Sequence, residues 1–233
     1  MAIAPPPEGI LLVDKPKGLT SFAVVAAIRK KTGQQTVGHA GTLDPIATGL
    51  LVILLGRTWT KTADLFLRHD KSYEAVVKLG EGTDTYDAEG VITDTSSEEP
   101  SSEQIREAVS WFQGTILQTP PMFSAKKQGG KKLYELARKG CVVEREPCRV
   151  TVKTEIISYK YPYLEWRVDC SKGTYIRSMA YDLGIKLGCF AHVKELRRTR
   201  SGPFLVSDAR SLEQLLQLNS EEFSSLLLRP ERV

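Results

Sequence analysis

Residues whose types could do chemistry are densest in Gly38-His39-Ala40-Gly41-Thr42-Leu43-Asp44-Pro45-Ile46-Ala47-Thr48-Gly49-Leu50-Leu51. The glycines allow tight backbone geometry, and Pro45 biases Asp44 towards extended conformations while removing the next amide as a donor. Asp44 is therefore presented from a stiff loop directly before Leu50 to Leu55, a β-prone apolar run read as a buried strand. A carboxylate held in this way can serve as a nucleophile or a base, and the same Asp-Pro pair also suits the ordinary start of a turn. Read alone, His39 is a buried, hydrogen-bonded histidine, Tyr73 an ordinary strand aromatic and Arg177 a surface arginine.

The net charge of +4 does not by itself identify a nucleic-acid binder, but its distribution is uneven. Acidic residues gather between Asp94 and Glu107, whereas bases concentrate at Arg29 to Lys31, at Lys126, Lys127, Lys131 and Lys132, and at Lys194, Arg197, Arg198 and Arg200. Basic groups that share a face would meet phosphate; on separate helices they are solvated charges. Cys141, Cys148, Cys170 and Cys189 form no C-x-x-C pair, and His39, His69 and His192 are far apart, so a metal site is not expected and four reduced thiols in or near the core are. No apolar run approaches the roughly 20 residues of a membrane span, and the N-terminus lacks the basic and apolar regions of a signal peptide. A cytoplasmic protein is the expectation.

The elements that must position these groups follow from periodicity and caps. Gly9 to Val13 reads as a strand running into a turn at Asp14 to Gly18, and Thr20-Ser21 caps an amphipathic helix to Thr32, closed by Gly33. Residues 34 to 49 read as loop, Thr58 to Leu67 as helix, Tyr73 to Leu79 as strand, Gly82 to Gly90 as a connection and Val91 to Thr93 as a strand. Ser101 and Ser102 announce a helix carrying Ile105, Val109 and Phe112, which cannot continue through Pro120-Pro121. Residues 124 to 132 read as a mobile basic excursion, followed by a short helix from Leu133 to Lys139. Val150 to Ser158 and Leu164 to Cys170 alternate as strands, Thr174 to Leu187 is a helix ended by Gly188, Ala191 to Arg200 is a strand with exposed bases, and Ser211 to Leu228 gives one or two helices. Without regular βαβ alternation the class is α+β with a mixed sheet.

The segment around Asp44 resembles the signature of the TruB family of pseudouridine synthases, in which the aspartate of G-x-L-D-P-x-A-T-G is catalytic. Four more blocks are similar in the same order: Gly9 to Gly18, which contains Lys15; Lys71-Ser72-Tyr73 with Gly80 to Asp87; Pro120 to Ala125 with Gly130 to Tyr134; and Cys170-Ser171-Lys172-Gly173-Thr174-Tyr175-Ile176-Arg177-Ser178. The resemblance implies the pseudouridine synthase fold, a mixed, mostly antiparallel sheet flanked by helices with a basic RNA-clasping insertion at about 120–150. It implies that one uridine in the T loop of tRNA, at position 55, is isomerised. Residues 1–210 would form the catalytic domain, and residues 211–233 a helical tail too short for a PUA-type domain with its own core.

The same resemblance assigns roles. Asp44 is the catalytic carboxylate, Arg177 the cation that keeps it ionised in a dry pocket, Tyr73 the ring on the target uracil and Tyr175 a wall of the pocket. Asp44 and Arg177 are therefore expected to pair in one cleft beside Tyr73. His39 stands where the family's histidine fills the space left by flipped nucleotides. Lys15, Lys126, Lys127, Lys131, Lys132, Lys172 and Arg197 would contact RNA, with Gly129-Gly130 as hinges of a lid. Isomerisation changes no oxidation state, so no cofactor or metal is called for, and a monomer acting on the T arm without an obligate protein partner is expected. Assistance with tRNA folding, independent of catalysis, is the alternative function.

Overall fold

The computed structural model describes residues 5–124, 126–137, 140–141 and 143–229, without the side chains of residues 127, 128, 131 and 132. The chain divides into two compact units, one running up to Ser72 and resuming at Arg197, the other Tyr73–Leu196.

The first unit is organised by the strand Thr48–Leu55, whose residues after Thr48 are all buried. Such an unbroken apolar run is what a strand covered on both faces requires. It pairs antiparallel with Gly9–Lys15, from Gly9 opposite Leu55 to Lys15 opposite Gly49, and with the short strand Val37–His39. Its other neighbour is the end of Ala191–Ser201, parallel, with Arg197 opposite Thr48 and Arg198 opposite Gly49. That approach demands glycine: a Cβ on Gly49, at φ +96°, would lie 2.3 Å from the Arg198 carbonyl oxygen. Ile10, Leu12, Leu50, Val52 and Leu54 share a core cluster with Ala40 and Phe66.

Helix Ser21–Thr32 begins as its sequence dictates, the Thr20 hydroxyl accepting from the Ala23 amide, and ends at Gly33 in the left-handed region. Arg57–Thr60 and Ala63–Leu67 are two short helices where one was expected. Residues 210–229 pack back on the first strand of this unit. Arg210–Ser211 pairs parallel with Gly9–Lys15, Ile10 and Leu228 exchange two backbone hydrogen bonds of 2.9 Å, and helices Leu212–Gln217 and Ser220–Ser225 bury Leu212, Leu215 and Phe223.

In the second unit the long hairpin Cys148–Lys160 and Tyr163–Cys170 buries alternate residues, so that Val150, Val152, Leu164, Trp166 and Val168 share the core. Phe112 meets Trp166 edge to face at 5.9 Å. Gly114–Gln118 pairs antiparallel with Cys148–Lys160, a strand that its short and mostly exposed pattern had concealed. Glu81–Thr83 likewise pairs with Ile92–Thr95. Helix Ser102–Ser110 opens on a complete capping box between Ser101 and Gln104. Helix Ile176–Leu187 closes at Gly188. The basic excursion is a small hairpin, Lys127–Gln128 against Lys131–Lys132, before helix Leu133–Ala137. Gly129 and Gly130, read as hinges, both take positive φ and form its turn. Pairing throughout is mixed and mostly antiparallel with helices alongside, the expected α+β class.

Candidate active site

Asp44 is half-buried between two residues whose backbone is clamped. Before it, the buried Ser21 hydroxyl accepts from the Leu43 amide at 2.8 Å and donates to the Leu43 carbonyl at 3.1 Å. After it, the Pro45 carbonyl accepts from the Gly18 amide at 2.8 Å and from Lys15 Nζ at 3.4 Å. Leu43 and Ile46 are buried, and the Ala47 amide donates back to the Asp44 carbonyl at 3.1 Å. The start of helix Ser21–Thr32 and the turn after Gly9–Lys15 thus hold the carboxylate's own backbone. Rigid scaffolding of this kind suits a group that must meet a substrate atom at a fixed distance.

Lys15, expected to contact RNA, is turned inward. Its ammonium is completely buried and donates to the carbonyls of Pro16 at 2.9 Å and Leu19 at 2.7 Å as well as to Pro45, which makes it part of the loop's scaffold. The strand with exposed bases is corrected at Arg198. Only 1 % of it is exposed, and it donates to the carbonyls of Leu50 at 2.7 Å and Gly41 at 3.1 Å. Arg197 grips Asp14 with two bonds of 3.0 and 2.7 Å while remaining partly exposed. His39 is half-buried, with Nδ1 lacking a hydrogen-bond partner among the described residues. Burial first and the Arg198 charge second hold its pKa below the usual range for histidine, so the ring is neutral at pH 7.

In the second unit Arg177 is buried against two backbone carbonyls and a carboxylate. Nη1 donates to the Thr85 carbonyl at 3.0 Å and lies 3.5 Å from Asp87 Oδ2, while Nη2 donates to the Phe123 carbonyl at 2.7 Å. Asp87 is itself held, its Oδ1 accepting from Thr85 Oγ1 at 2.7 Å and from the Glu89 amide at 3.0 Å. Tyr175, just ahead of helix Ile176–Leu187, is bracketed by buried Gln118, which accepts from its amide at 2.7 Å and donates to its carbonyl at 3.0 Å. Gln118 does for Tyr175 what Ser21 does for Leu43. Tyr73 is half-buried in strand Lys71–Leu79.

A cleft of ≈ 390 Å³ in this unit has Pro120, Val150 and Tyr175 as apolar lining and Lys126, Arg149 and Lys172 as bases. Lys126 Nζ stands 2.8 Å from Cys148 Sγ. The side chains of Lys127, Lys131 and Lys132 lie outside those described. Of the four cysteines, Cys170 and Cys189 are buried, Cys148 is half-buried and Cys141 is exposed. Among the described residues no cluster of three or more His, Cys, Asp or Glu could hold a metal ion, and no helix is long and apolar enough to cross a membrane.

The first and second units thus hold different members of the set: Asp44, His39, Lys15 and Arg197 in one, and Tyr73, Tyr175, Arg177, Lys126 and Lys172 in the other. Sequence reasoning missed Ser21, Gln118 and Arg198 as supports. Serine at a helix start reads as a cap, and nothing local marks a glutamine or arginine that will be buried against a distant backbone.

Residues 29–176 match a family model described as TruB family pseudouridylate synthase (N terminal domain), and residues 177–230 match the tRNA pseudouridylate synthase B C-terminal domain. By class the chain is a pseudouridylate synthase. It is 60 % identical over 201 residues to the tRNA pseudouridine synthase B of Protochlamydia amoebophila, covering 86 % of this chain and 77 % of that protein. It is 53 % identical over 201 residues to the protein of that name from Chlamydia pneumoniae, covering 86 % of each. The chain belongs to the TruB family. Its fold is similar to that in the crystal structure of a Cbf5-Nop10-Gar1 complex, with a TM-score of 0.75 at 29 % identity, over 94 % of this chain and 59 % of that one.

Proposed function

We propose that this protein isomerises the uridine at position 55, in the T loop of tRNA, to pseudouridine, as a cytoplasmic monomer with no obligate protein partner. The observation that carries the reading is the presentation of Asp44, a half-buried carboxylate whose neighbours on both sides are pinned by Ser21, Gly18 and Lys15. Isomerisation breaks the bond from N1 to the ribose, turns the uracil in place, joins C5 to the same ribose carbon and releases the C5 proton as N1 gains one. Asp44 opens the glycosidic linkage, either by attacking the ribose or by taking a ribose proton.

Arg177 is the cation that keeps Asp44 ionised, Tyr73 stacks on the uracil and Tyr175 walls the pocket. The target base must leave its stack, which costs a few kcal/mol, and His39 fills the vacated space. Its neutral ring, and an Nδ1 without a partner among the described residues, suit packing and hydrogen bonding against nucleotides. Lys126, Lys172 and Arg149 take backbone phosphates at the cleft they line, and Lys127, Lys131, Lys132 and Arg197 add to the positive field along the RNA.

The test uses unmodified tRNA carrying tritium at C5 of uridine. Wild-type protein should release the tritium and form pseudouridine, and Asp44→Asn should do neither. Equal release by both, or none by the wild type, ends the assignment.

A further inference from the structure

Helix Ile176–Leu187 carries Arg177 and Tyr181 four residues apart, hence one turn apart on a single face. That face meets three consecutive residues of one loop. Arg177 holds the first and third, through the Thr85 carbonyl at 3.0 Å and the Asp87 carboxylate at 3.5 Å. Tyr181 holds the second: its ring stacks on Tyr86 with centroids 4.1 Å apart and planes at 21°.

Tyr86 has φ 63°, in the left-handed region that bulky residues seldom enter. A residue stays there only where its surroundings over-determine it. The loop's own hydrogen bonds, from Thr85 Oγ1 and the Glu89 amide to Asp87 and from the Val91 amide to Asp84 Oδ1 at 2.8 Å, fix its internal shape. They do not tie it to the helix. Its backbone is anchored elsewhere, the Ala88 amide donating to the Val193 carbonyl at 2.9 Å and the Tyr86 carbonyl accepting from the Val193 amide at 3.0 Å. Among the contacts described, the helix meets this anchored loop at the guanidinium and at the ring stack, and without the stack the helix face can turn against it about the guanidinium.

We infer that the Tyr86–Tyr181 stack is the second point of a two-point clamp that fixes the orientation of the Arg177 guanidinium, which makes Tyr86 and Tyr181 positioning residues for the isomerisation. The inference rests on the proposed role of Arg177 beside the reacting carboxylate. Tyr181 is partly withdrawn from water, and burial followed by the neighbouring Tyr86 raises its hydroxyl pKa, so its ring stacks as a neutral group at working pH.

The experiment measures single-turnover pseudouridine formation, tRNA binding and thermal unfolding on full-length Tyr181→Ala, Tyr181→Phe and Tyr86→Gly, with wild type and Asp44→Asn alongside. An aromatic pair shifts an equilibrium by up to about tenfold, so Tyr181→Ala should be slower by about that factor at saturating enzyme, with the dissociation constant for tRNA within about twofold. Tyr181→Phe keeps the ring and should restore the rate. Tyr86→Gly loses the ring but relieves the strained φ, so its rate should fall while its unfolding temperature holds or rises. A wild-type rate in Tyr181→Ala or Tyr86→Gly, or failure of Tyr181→Phe to recover, overturns the clamp. Inactivity of the wild type, or activity of Asp44→Asn, would instead strike the catalytic reading on which the clamp depends.

Discussion

Replacing Ser21 by alanine removes one oxygen and leaves two buried backbone groups, the Leu43 amide and carbonyl, without the partner they share at 2.8 and 3.1 Å. A buried polar group left unsatisfied costs about 1–3 kcal/mol, so the pair should destabilise the protein by roughly 2–4 kcal/mol, part being recovered if water enters. That is a large share of a typical stability of about 5–15 kcal/mol. Thr20 provides the control from the adjacent position. Its hydroxyl accepts from the Ala23 amide at 3.0 Å, so Thr20→Ala should cost about 1 kcal/mol without touching Leu43. The two variants should separate in catalysis. With the residue before Asp44 unpinned, single-turnover pseudouridine formation should fall by at least about tenfold in Ser21→Ala, since displacement by about 1 Å can lower a rate 100-fold. Thr20→Ala should stay within about twofold of wild type. Urea unfolding gives the stabilities, and rapid-quench assays in buffer, where both variants remain folded, give the rates. If Ser21→Ala lies within about 0.5 kcal/mol of wild type, or the two variants react equally fast, the claim that this hydroxyl positions the carboxylate is refuted.

Burial raises the Asp182 pKa to about 6, so the folded state binds a proton more tightly than the unfolded chain, stability falls as pH rises from about 4 through 6, and it levels off above. Asp182→Asn should therefore be more stable than wild type at pH 7.5, with the difference disappearing near pH 4; equal stability at both pH values would count against a desolvated, half-buried carboxyl there. For the basic cleft, Arg149→Gln in an Asp44→Asn background should weaken tRNA binding and reduce the slope of log affinity against log salt by roughly 0.7–0.9, the value for one phosphate contact. An unchanged slope would take Arg149 off the RNA path.

Local signals were legible wherever the controlling interactions lie within a few residues. Thr20 and Gly33 bound helix Ser21–Thr32, Ser101 and Ser102 announce the next long helix, and alternation marks strands over 150–158 and 164–170. Val37–His39 and Gly114–Gln118 escaped notice because they are short and draw their regularity from partner strands rather than from their own pattern. The burial of Lys15 and Arg198 was hidden for a related reason. Lysine and arginine are exposed by default, and only assembled carbonyl groups such as those of Leu19, Pro45, Gly41 and Leu50 can pay for burying them.

The sequence by itself determined the family-like run around Asp44, the helices with explicit caps, the alternating hairpin and the α+β class, because propensity, capping and periodicity act over a turn or a pleat. Tertiary structure alone decided what surrounds the functional groups. Ser21 reaches across 22 residues to Leu43, Gln118 across 57 to Tyr175, Arg177 across 92 to Thr85 and Arg198 across 157 to Gly41. Each joins a side chain to a backbone group that any residue could supply, so no residue type at the far end announces it, and only the folded path of the chain brings the two ends within hydrogen-bonding distance.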